Sequence, residues 1–222
     1  VSGNGQQELA EVLTGLRKSQ SGYLKVLGND LTNRSPAKFI DSGVGHIPGD
    51  RIGVGLAGNL SVSDNLIMKA YRGNRISSGI FLRRVAVEGY ADKLIEDFEV
   101  DTPDRYTPVR NLSGGNQQKV ILAREIMARS EQNFSKDGLL IAVQPTRGLD
   151  IGATESVRKL LLSQCKHGDA ILLISDDLDE ILGICTRIAV MFSGRIMGIV
   201  SADNTDIGDI GIMMAGGRVS GR

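Results

Sequence analysis

The sequence predicts an α/β domain built on a mostly parallel sheet with flanking helices. Three observations carry that prediction. Leu139-Leu140-Ile141-Ala142-Val143 and Ala170-Ile171-Leu172-Leu173-Ile174 are apolar runs without alternation, the pattern of strands covered on both faces. Each run is followed by a helical segment. Val157, Leu160 and Leu161 repeat at helical spacing after the first, and Asp177-Leu178-Asp179-Glu180 opens a helix after the second, with acid suited to its N-terminal dipole. Finally, 222 residues suffice for one such domain, or for one domain with a small subdomain.

Composition narrows the class. Apolar residues at 41% and charged residues at 23% are ordinary for a soluble globular chain. The 26 basic residues match 26 acidic ones, and a net charge of zero speaks against nucleic acid or an anionic membrane surface as a partner. Without tryptophan, and with few other aromatics, the core must be aliphatic. Cys165 and Cys185 lie in apolar-periodic stretches and read as buried thiols in a reducing cytosol rather than as a disulfide. No apolar run approaches the roughly 20 residues that span a bilayer. No signal peptide is visible and the chain starts at Val1, so service to a membrane system would come from the cytoplasmic face.

In chain order, Val1-Ser2-Gly3-Asn4-Gly5-Gln6-Gln7 is a glycine turn running into a helix that carries Leu9, Val12, Leu13 and Leu16. Tyr23 to Leu27 reads as a short strand, closed by a turn at Gly28-Asn29-Asp30. Ser35-Pro36 starts a short helix with proline at its first position. Val44 to Pro48 is extended, and His46 reads as a strand residue without chemistry. Val85, Tyr90, Leu94, Ile95 and Phe98 mark a further helix, and the cluster Arg72, Arg75, Arg83, Arg84 reads as a solvated face. Ser130 to Gly138 is polar. Ile188 to Phe192 and Arg195 to Val200 form a hairpin about Ser193-Gly194, and the tail from Asp206 carries one short helix before Gly216-Gly217.

The stretch Leu112-Ser113-Gly114-Gly115-Asn116-Gln117-Gln118-Lys119 organises the rest. It turns into an amphipathic helix carrying Val120, Ile121, Leu122, Ile126 and Met127, with Ser113 near the N-cap. Adjacent glycines let backbone N–H groups approach an anion closely, and the helix N-terminus adds partial positive charge. That describes a phosphate site made mostly of backbone. By itself, Ser-Gly-Gly is also an ordinary loop before a surface helix.

The full string LSGGNQQKVILAREI resembles the signature motif of ATP-binding cassette (ABC) ATPases, and its Gln-Gln-Lys tail is most similar to the tandem-cassette subunits of bacterial sugar and nucleoside importers. The resemblance implies a P-loop NTPase cassette with its RecA-like core starting over 1–57 and a helical subdomain over 58–112, reached through Leu60-Ser61-Val62-Ser63-Asp64-Asn65-Leu66. The rest of the core would span 113–205 and a C-terminal tail 206–222. It further implies ATP and Mg2+, bound mainly by a partner cassette, and a peripheral place on the cytoplasmic face of the plasma membrane. The implied partners are transmembrane permease subunits and, indirectly, a solute-binding protein; nucleic acid is not among them.

Residue by residue, the same resemblance exposes losses. Gly3-Asn4-Gly5-Gln6-Gln7 resembles a phosphate-binding loop with Gln6 in place of the lysine and Gln7 in place of the Mg2+-ligating hydroxyl, though Gly3, Asn4 and Gly5 keep backbone N–H groups. Pro48-Gly49-Asp50-Arg51 stands where the family has a glutamine. The strand ending at Val143 should end in Asp and then Glu, but Val143 and Gln144 are present; an aliphatic group holds no cation shell, and an amide accepts no proton at neutral pH. Asp176 replaces the switch histidine, and a carboxylate repels a triphosphate. Asp150, in the turn Pro145-Thr146-Arg147-Gly148-Leu149-Asp150, matches the family's D-loop.

Gln6, Val143, Gln144 and Asp176 are thus changed while the signature is intact. Cassettes of this family pair head to tail, so the resemblance implies that Ser113, Gly114, Gly115 and Gln117 close over ATP held by an N-terminal cassette, while Gly3 to Gln7 form a degenerate second site with no metal ligands. Three alternatives stand beside this: a non-hydrolysing regulatory cassette, an inactive gene fragment, and a structural-maintenance or DNA-repair ATPase, against which the neutral charge and absent heptads speak. The transported solute is not readable. By resemblance, the strand feeding the phosphate loop would precede Val1 and lie between Ala170–Ile174 and Ile188–Phe192, with the family's first antiparallel strands also absent. The slot so left is expected to collapse or to take a strand from another chain, leaving the chain marginally stable.

Overall fold

A left-handed turn at Gly5 (φ 101°) launches α1 (Gln6–Leu13), whose Ala10 is buried against the sheet. The computed structural model describes residues 3–71, 73–131 and 138–217. Arg72, the middle of the polar stretch after Ser130, and the tail beyond 217 lie outside them.

After α1 comes a tight ribbon, β1 (Lys25–Val26) and β2 (Asn29–Asp30). Its turn is Leu27-Gly28, both left-handed (φ 49° and 80°), so it sits earlier than the turn expected at Gly28-Asn29-Asp30. A two-residue hairpin loop demands positive φ at both positions, which overrides leucine's reluctance. Pro36 occupies the first turn of α2 (Pro36–Asp41), and β3 (Val44–Ile47) follows. α3 (Val62–Ile67) is opened by a reciprocal capping box: Asp64 N–H donates to Ser61 Oγ at 3.0 Å, and Ser61 N–H donates back to Asp64 Oδ2 at 3.3 Å. A small ribbon, β4 (Ser77–Ser78) and β5 (Phe81–Leu82), precedes α4 (Arg84–Asp97). In α4 the apolar face is Ala91 and Leu94, with Phe98 just beyond; Val85, expected on that face, is 84% exposed.

α5 (Gly114–Glu131) follows the signature loop and β6 (Leu139–Val143) comes next. α6 (Ile151–Lys166) is capped by Asp150, which accepts the Ala153 N–H at 2.8 Å. β7 (Ala170–Ile174) leads to α7 (Leu178–Ile184), capped by Asp177 through the Glu180 N–H at 3.1 Å. β8 (Arg187–Phe192) and β9 (Arg195–Ser201) form the expected hairpin, and α8 (Ile207–Met214) is the short helix foreseen in the tail.

The central sheet is parallel in the order β3-β6-β7, with Val44 opposite Leu139 and Leu139 opposite Ala170. Alternation along β6 explains its unbroken apolar run. Leu140 and Ala142 face the larger core, with Val120, Ile121 and Leu122 of α5, Leu66 of α3, Leu94 of α4 and Leu161 of α6; Ile141 faces Ala10, Phe39 and Val44 on the other side. Cys165 is exposed and Cys185 half-buried, both as free thiols, so the expected burial fails although the absence of a disulfide holds.

The two edges that face each other are not paired. β7 bonds only to β6 and β8 only to β9, and among the described residues no strand lies between them. A cavity of about 660 Å³ separates them, walled by Ile171, Leu173, Ile188 and Val190 and floored by Leu161 and Ile210. The slot therefore stays open in the single chain: of the two expected outcomes, direct pairing of the flanking strands is not the one taken, and a strand from another chain remains the alternative. The hairpin is propped from several sides: Leu178, Ile181 and Leu182 of α7 and Ile210 and Met213 of α8 pack with Ile188 and Val190. At its tip, Ser193 N–H donates to Asn4 Oδ1 at 2.9 Å and Gly194 N–H to Asn4 O at 2.9 Å.

Candidate functional site

One cavity of about 680 Å³ gathers the positions that the sequence scatters over 170 residues: Gly3, Gln6, Gln7, Val143, Gln144 and Asp176 all line it. β6 and β7 deliver Val143, Gln144 and Asp176 at their C-terminal ends, where an open α/β sheet presents ligands. α1 delivers Gln6 and Gln7 in its first turn. Gln144 is held in a left-handed conformation (φ 48°) by its N–H, which donates to Ile174 O at 2.7 Å.

The loop ahead of α1 is tied up internally. Asn4 N–H donates to Gln6 Oε1 at 2.9 Å, so the amide that replaces a lysine folds back onto a loop N–H. A phosphate reaching that N–H would have to displace it. Glu11, Asp50 and Asp176 share the cavity with Arg51 and Arg147, so it is not a strongly positive site. His46 adds no charge at neutral pH, because burial pushes it down to about 4; Glu125 favours protonation but does not offset burial, and Lys69 and Arg124 oppose it further. Among the described residues no three His, Cys, Asp or Glu side chains converge as metal ligands. The donor set at the end of β6, a valine and an amide, does not fit Mg2+.

The glycine loop before α5 is built differently. Ser113 is exposed, and its Oγ accepts the Asn116 N–H at 3.3 Å, the N-cap expected of it. None of Ser113, Gly114 and Gly115 lines the cavity. Gln117, expected to meet ATP, is instead 6% exposed; its Nε2 donates to Val109 O (3.3 Å) and Leu112 O (3.2 Å). It shapes the loop from behind, because a buried amide must spend its donors on the carbonyls around it. Asp150 spends its carboxylate on capping α6. Gly115 is needed for space: a Cβ on it would lie 2.9 Å from Ala153 Cβ, while one on Gly114 would press only on the tip of Arg51, with Nη2 at 3.1 Å, and meet Leu149 Cδ2 at an ordinary 3.7 Å. Gly115→Ala should therefore cost about 1–3 kcal/mol in urea unfolding, and adding Ala153→Gly should return most of it. Equal stability of Gly115→Ala and the unsubstituted chain would contradict that packing.

Arg51 entered the sequence reading only as the last residue of Pro48-Gly49-Asp50-Arg51, with no role of its own. It reaches from the cavity wall to Gly114, and its Nε is buried without a hydrogen-bond partner among the described residues. No local pattern marks such a residue, since its neighbours come from distant segments.

Residues 1–132 match the family model described as ABC transporter. The chain belongs to the ABC transporter family. It is 44% identical over 216 residues to the guanosine import ATP-binding protein NupO of Bacillus subtilis, covering 97% of this chain and 41% of that protein. It is 46% identical to the glucose import ATP-binding protein TsgD13 of Haloferax volcanii, covering 98% of this chain and 38% of the relative. The nucleoside import ATP-binding protein NupA of Lactococcus lactis subsp. cremoris is 41% identical, with 99% and 42% covered. The chain thus spans about two fifths of the length of these curated relatives. Among solved structures, a dimeric ATP-binding cassette in a post-hydrolysis state bound to ADP and Pi superposes with a TM-score of 0.73 at 20% identity, covering 91% of this chain and 82% of that one. A nucleotide-free ATP-binding cassette from an ABC transporter gives 0.70 at 22%, covering 90% and 78%. The α/β architecture is the P-loop fold of ABC cassettes, as the sequence predicts. The chain thus presents two distinct features: a cavity lined by Gln6, Val143, Gln144 and Asp176, and the Ser113-Gly114-Gly115 loop outside it.

Proposed function

We propose that this chain is the C-terminal cassette of an ABC importer ATPase for nucleoside or sugar uptake, and that it lends its signature to a composite ATP site while its own site is degenerate. The observation that carries this reading is the segregation of the losses. Gln6, Val143, Gln144 and Asp176 meet in one cavity, whereas Ser113, Gly114 and Gly115 stand outside it with their N-cap geometry intact. ATP and Mg2+ are held mainly by the N-terminal cassette, and Ser113, Gly114 and Gly115 close on the phosphates through backbone N–H groups. The guanosine, glucose and nucleoside import ATP-binding proteins to which the chain is similar support the solute class.

Permease subunits are the membrane partners, with a solute-binding protein acting through them, and the cassette works at the cytoplasmic face. The helical subdomain supports such a contact. From Asn65 to Val87 the chain carries five Lys or Arg residues and no carboxylate, and Ile80, Phe81 and Val85 are largely exposed there. No described helix is long and apolar enough to cross a membrane.

The test is Gly114→Asp in the tandem protein, assembled with its permease. A carboxylate there repels the γ-phosphate, while Arg51 can accommodate it sterically, so turnover should fall at least about 100-fold with an unchanged melting temperature. Wild-type hydrolysis by a normally folded Gly114→Asp assembly would overturn the composite site.

A further inference from the structure

A buried charge cluster lies outside both surfaces. Glu125, at 1% exposure, is fully enclosed, and three segments that are distant in sequence converge on its carboxylate. Its Oε2 accepts the His46 N–H at 2.9 Å and also pairs with Lys69 Nζ; its Oε1 accepts from Arg124 Nε at 3.0 Å. Arg124, itself 7% exposed on its side chain, reaches Met68 Sδ through Nη1 at 3.7 Å. Burial pushes the Glu125 carboxyl up, but Lys69, Arg124 and the His46 N–H outweigh it and hold it below the usual carboxylate range. The group is therefore charged at neutral pH.

The three segments differ in what they carry. His46 sits in β3, the edge strand of the parallel sheet among the described residues, and β3 runs directly into the turn Pro48-Gly49-Asp50-Arg51 on the cavity wall. Met68 and Lys69 follow α3, at the root of the cationic segment with the exposed β4–β5 ribbon. Glu125 and Arg124 belong to α5, whose first residues are the signature glycines. A carboxylate facing two cations in a low-dielectric setting holds firmly, and deleting its charge leaves the buried Arg124 guanidinium and the half-buried Lys69 ammonium without their shared anion.

We propose that Glu125 is a positioning residue: its charge clamps the helical subdomain and the signature helix onto β3 and thereby fixes the signature loop against the cavity turn. The clamp itself is a property of this chain; its effect on turnover rests on the composite-site reading above. Glu125→Gln keeps shape and an acceptor for His46 but leaves Lys69 and Arg124 unbalanced. Lys69→Met added to it removes one of the two cations and should restore the balance.

Amide hydrogen exchange on the folded chain reads the clamp directly. Glu125→Gln should speed exchange at His46 and over residues 67–71 by about tenfold or more, while Leu140 to Ala142 in the sheet centre exchange as before. The double variant Glu125→Gln/Lys69→Met should return to within about threefold of the unsubstituted chain. Unchanged exchange in Glu125→Gln, or equal acceleration in β6, would overturn the clamp, as would a double variant no slower than the single one. Should Glu125→Gln fail to fold, Lys69→Met alone decides: it should loosen 67–71 while His46 stays protected, and no loosening sinks the proposal. In the tandem assembly, Glu125→Gln should lower kcat about tenfold with KM for ATP within threefold; an unchanged kcat overturns the positioning role. An unsubstituted assembly that hydrolyses no ATP would refute the composite site instead, leaving the exchange result to judge the clamp.

Discussion

Purified by itself, the 222-residue chain should show no Mg2+-dependent ATP turnover. On the composite-site reading proposed above, the cavity that would hold its own nucleotide lacks each group the chemistry needs. Gln144 stands where a general base would accept the water's proton, and an amide cannot do so at neutral pH; a positioned base is worth about 100- to 10,000-fold. Val143 offers no oxygen to a cation, and Gln6 spends its own oxygen on the Asn4 N–H at 2.9 Å. Asp176 adds negative charge to a cavity that already contains Glu11 and Asp50. These deficits act on different steps, so the combined loss is several orders of magnitude. Restoring one group, as in Gln144→Glu, should not recover activity, because the metal and the phosphates would still lack ligands. Phosphate release by contaminant-free protein, with and without Mg2+, is the measurement. Sustained turnover at a rate of about 1 per second or more, ordinary for an enzyme, would show that other groups do the chemistry.

The proposed site is legible in the sequence because Gln6 stands in a glycine turn and Val143, Gln144 and Asp176 stand at or just beyond the ends of two apolar runs, and the fold then brings these positions into one cavity. The Ser113 cap is similarly legible, since its Oγ accepts an N–H at the helix start; Asp150, read as the D-loop residue, and Asp177, read only as an acid opening a helix, turn out to cap α6 and α7. Other features depend on partners remote in the chain. Gln117 reads as a ligand-facing residue until the carbonyls of Val109 and Leu112 are seen to surround it. Glu125 looks like an ordinary helical glutamate, yet His46 is 79 residues away from it. Val85 fits the helical period of α4 but falls in its first turn, before the helix reaches the core. The β4–β5 ribbon pairs only two residues on each side, too short for alternation to register. Cys165 sits on an apolar period, but its neighbourhood is the open slot, which is why it is exposed.

That slot sets the second large effect: a strand placed between β7 and β8 should raise the melting temperature clearly. Both edges expose backbone groups without ladder partners, and β7 is half-buried where β6 at its centre is fully buried. Each ladder hydrogen bond that a strand adds there contributes about 0.5–1.5 kcal/mol, against a domain stability of only about 5–15 kcal/mol. The aliphatic walls, Ile171, Leu173, Ile188 and Val190, would gain burial as well. A strand entering ahead of Gly3 is well placed to reach the slot, since Asn4 is bonded to the β8–β9 turn and Gln6 and Leu9 line the slot itself. A polypeptide extended ahead of Val1 by about 20–30 residues, enough for one or two strands and their turns, should therefore gain at least about 3 kcal/mol. At this chain length that is roughly 6–12 °C. Left unfilled, the two edges should pair with other chains, making the shorter form prone to aggregation. Thiol labelling supplies a local readout, because Cys165 and Cys185 both line the slot and should react more slowly once a strand fills it. Equal melting temperatures and equal labelling rates in the extended and 222-residue forms would show that the strand belongs elsewhere in the sheet.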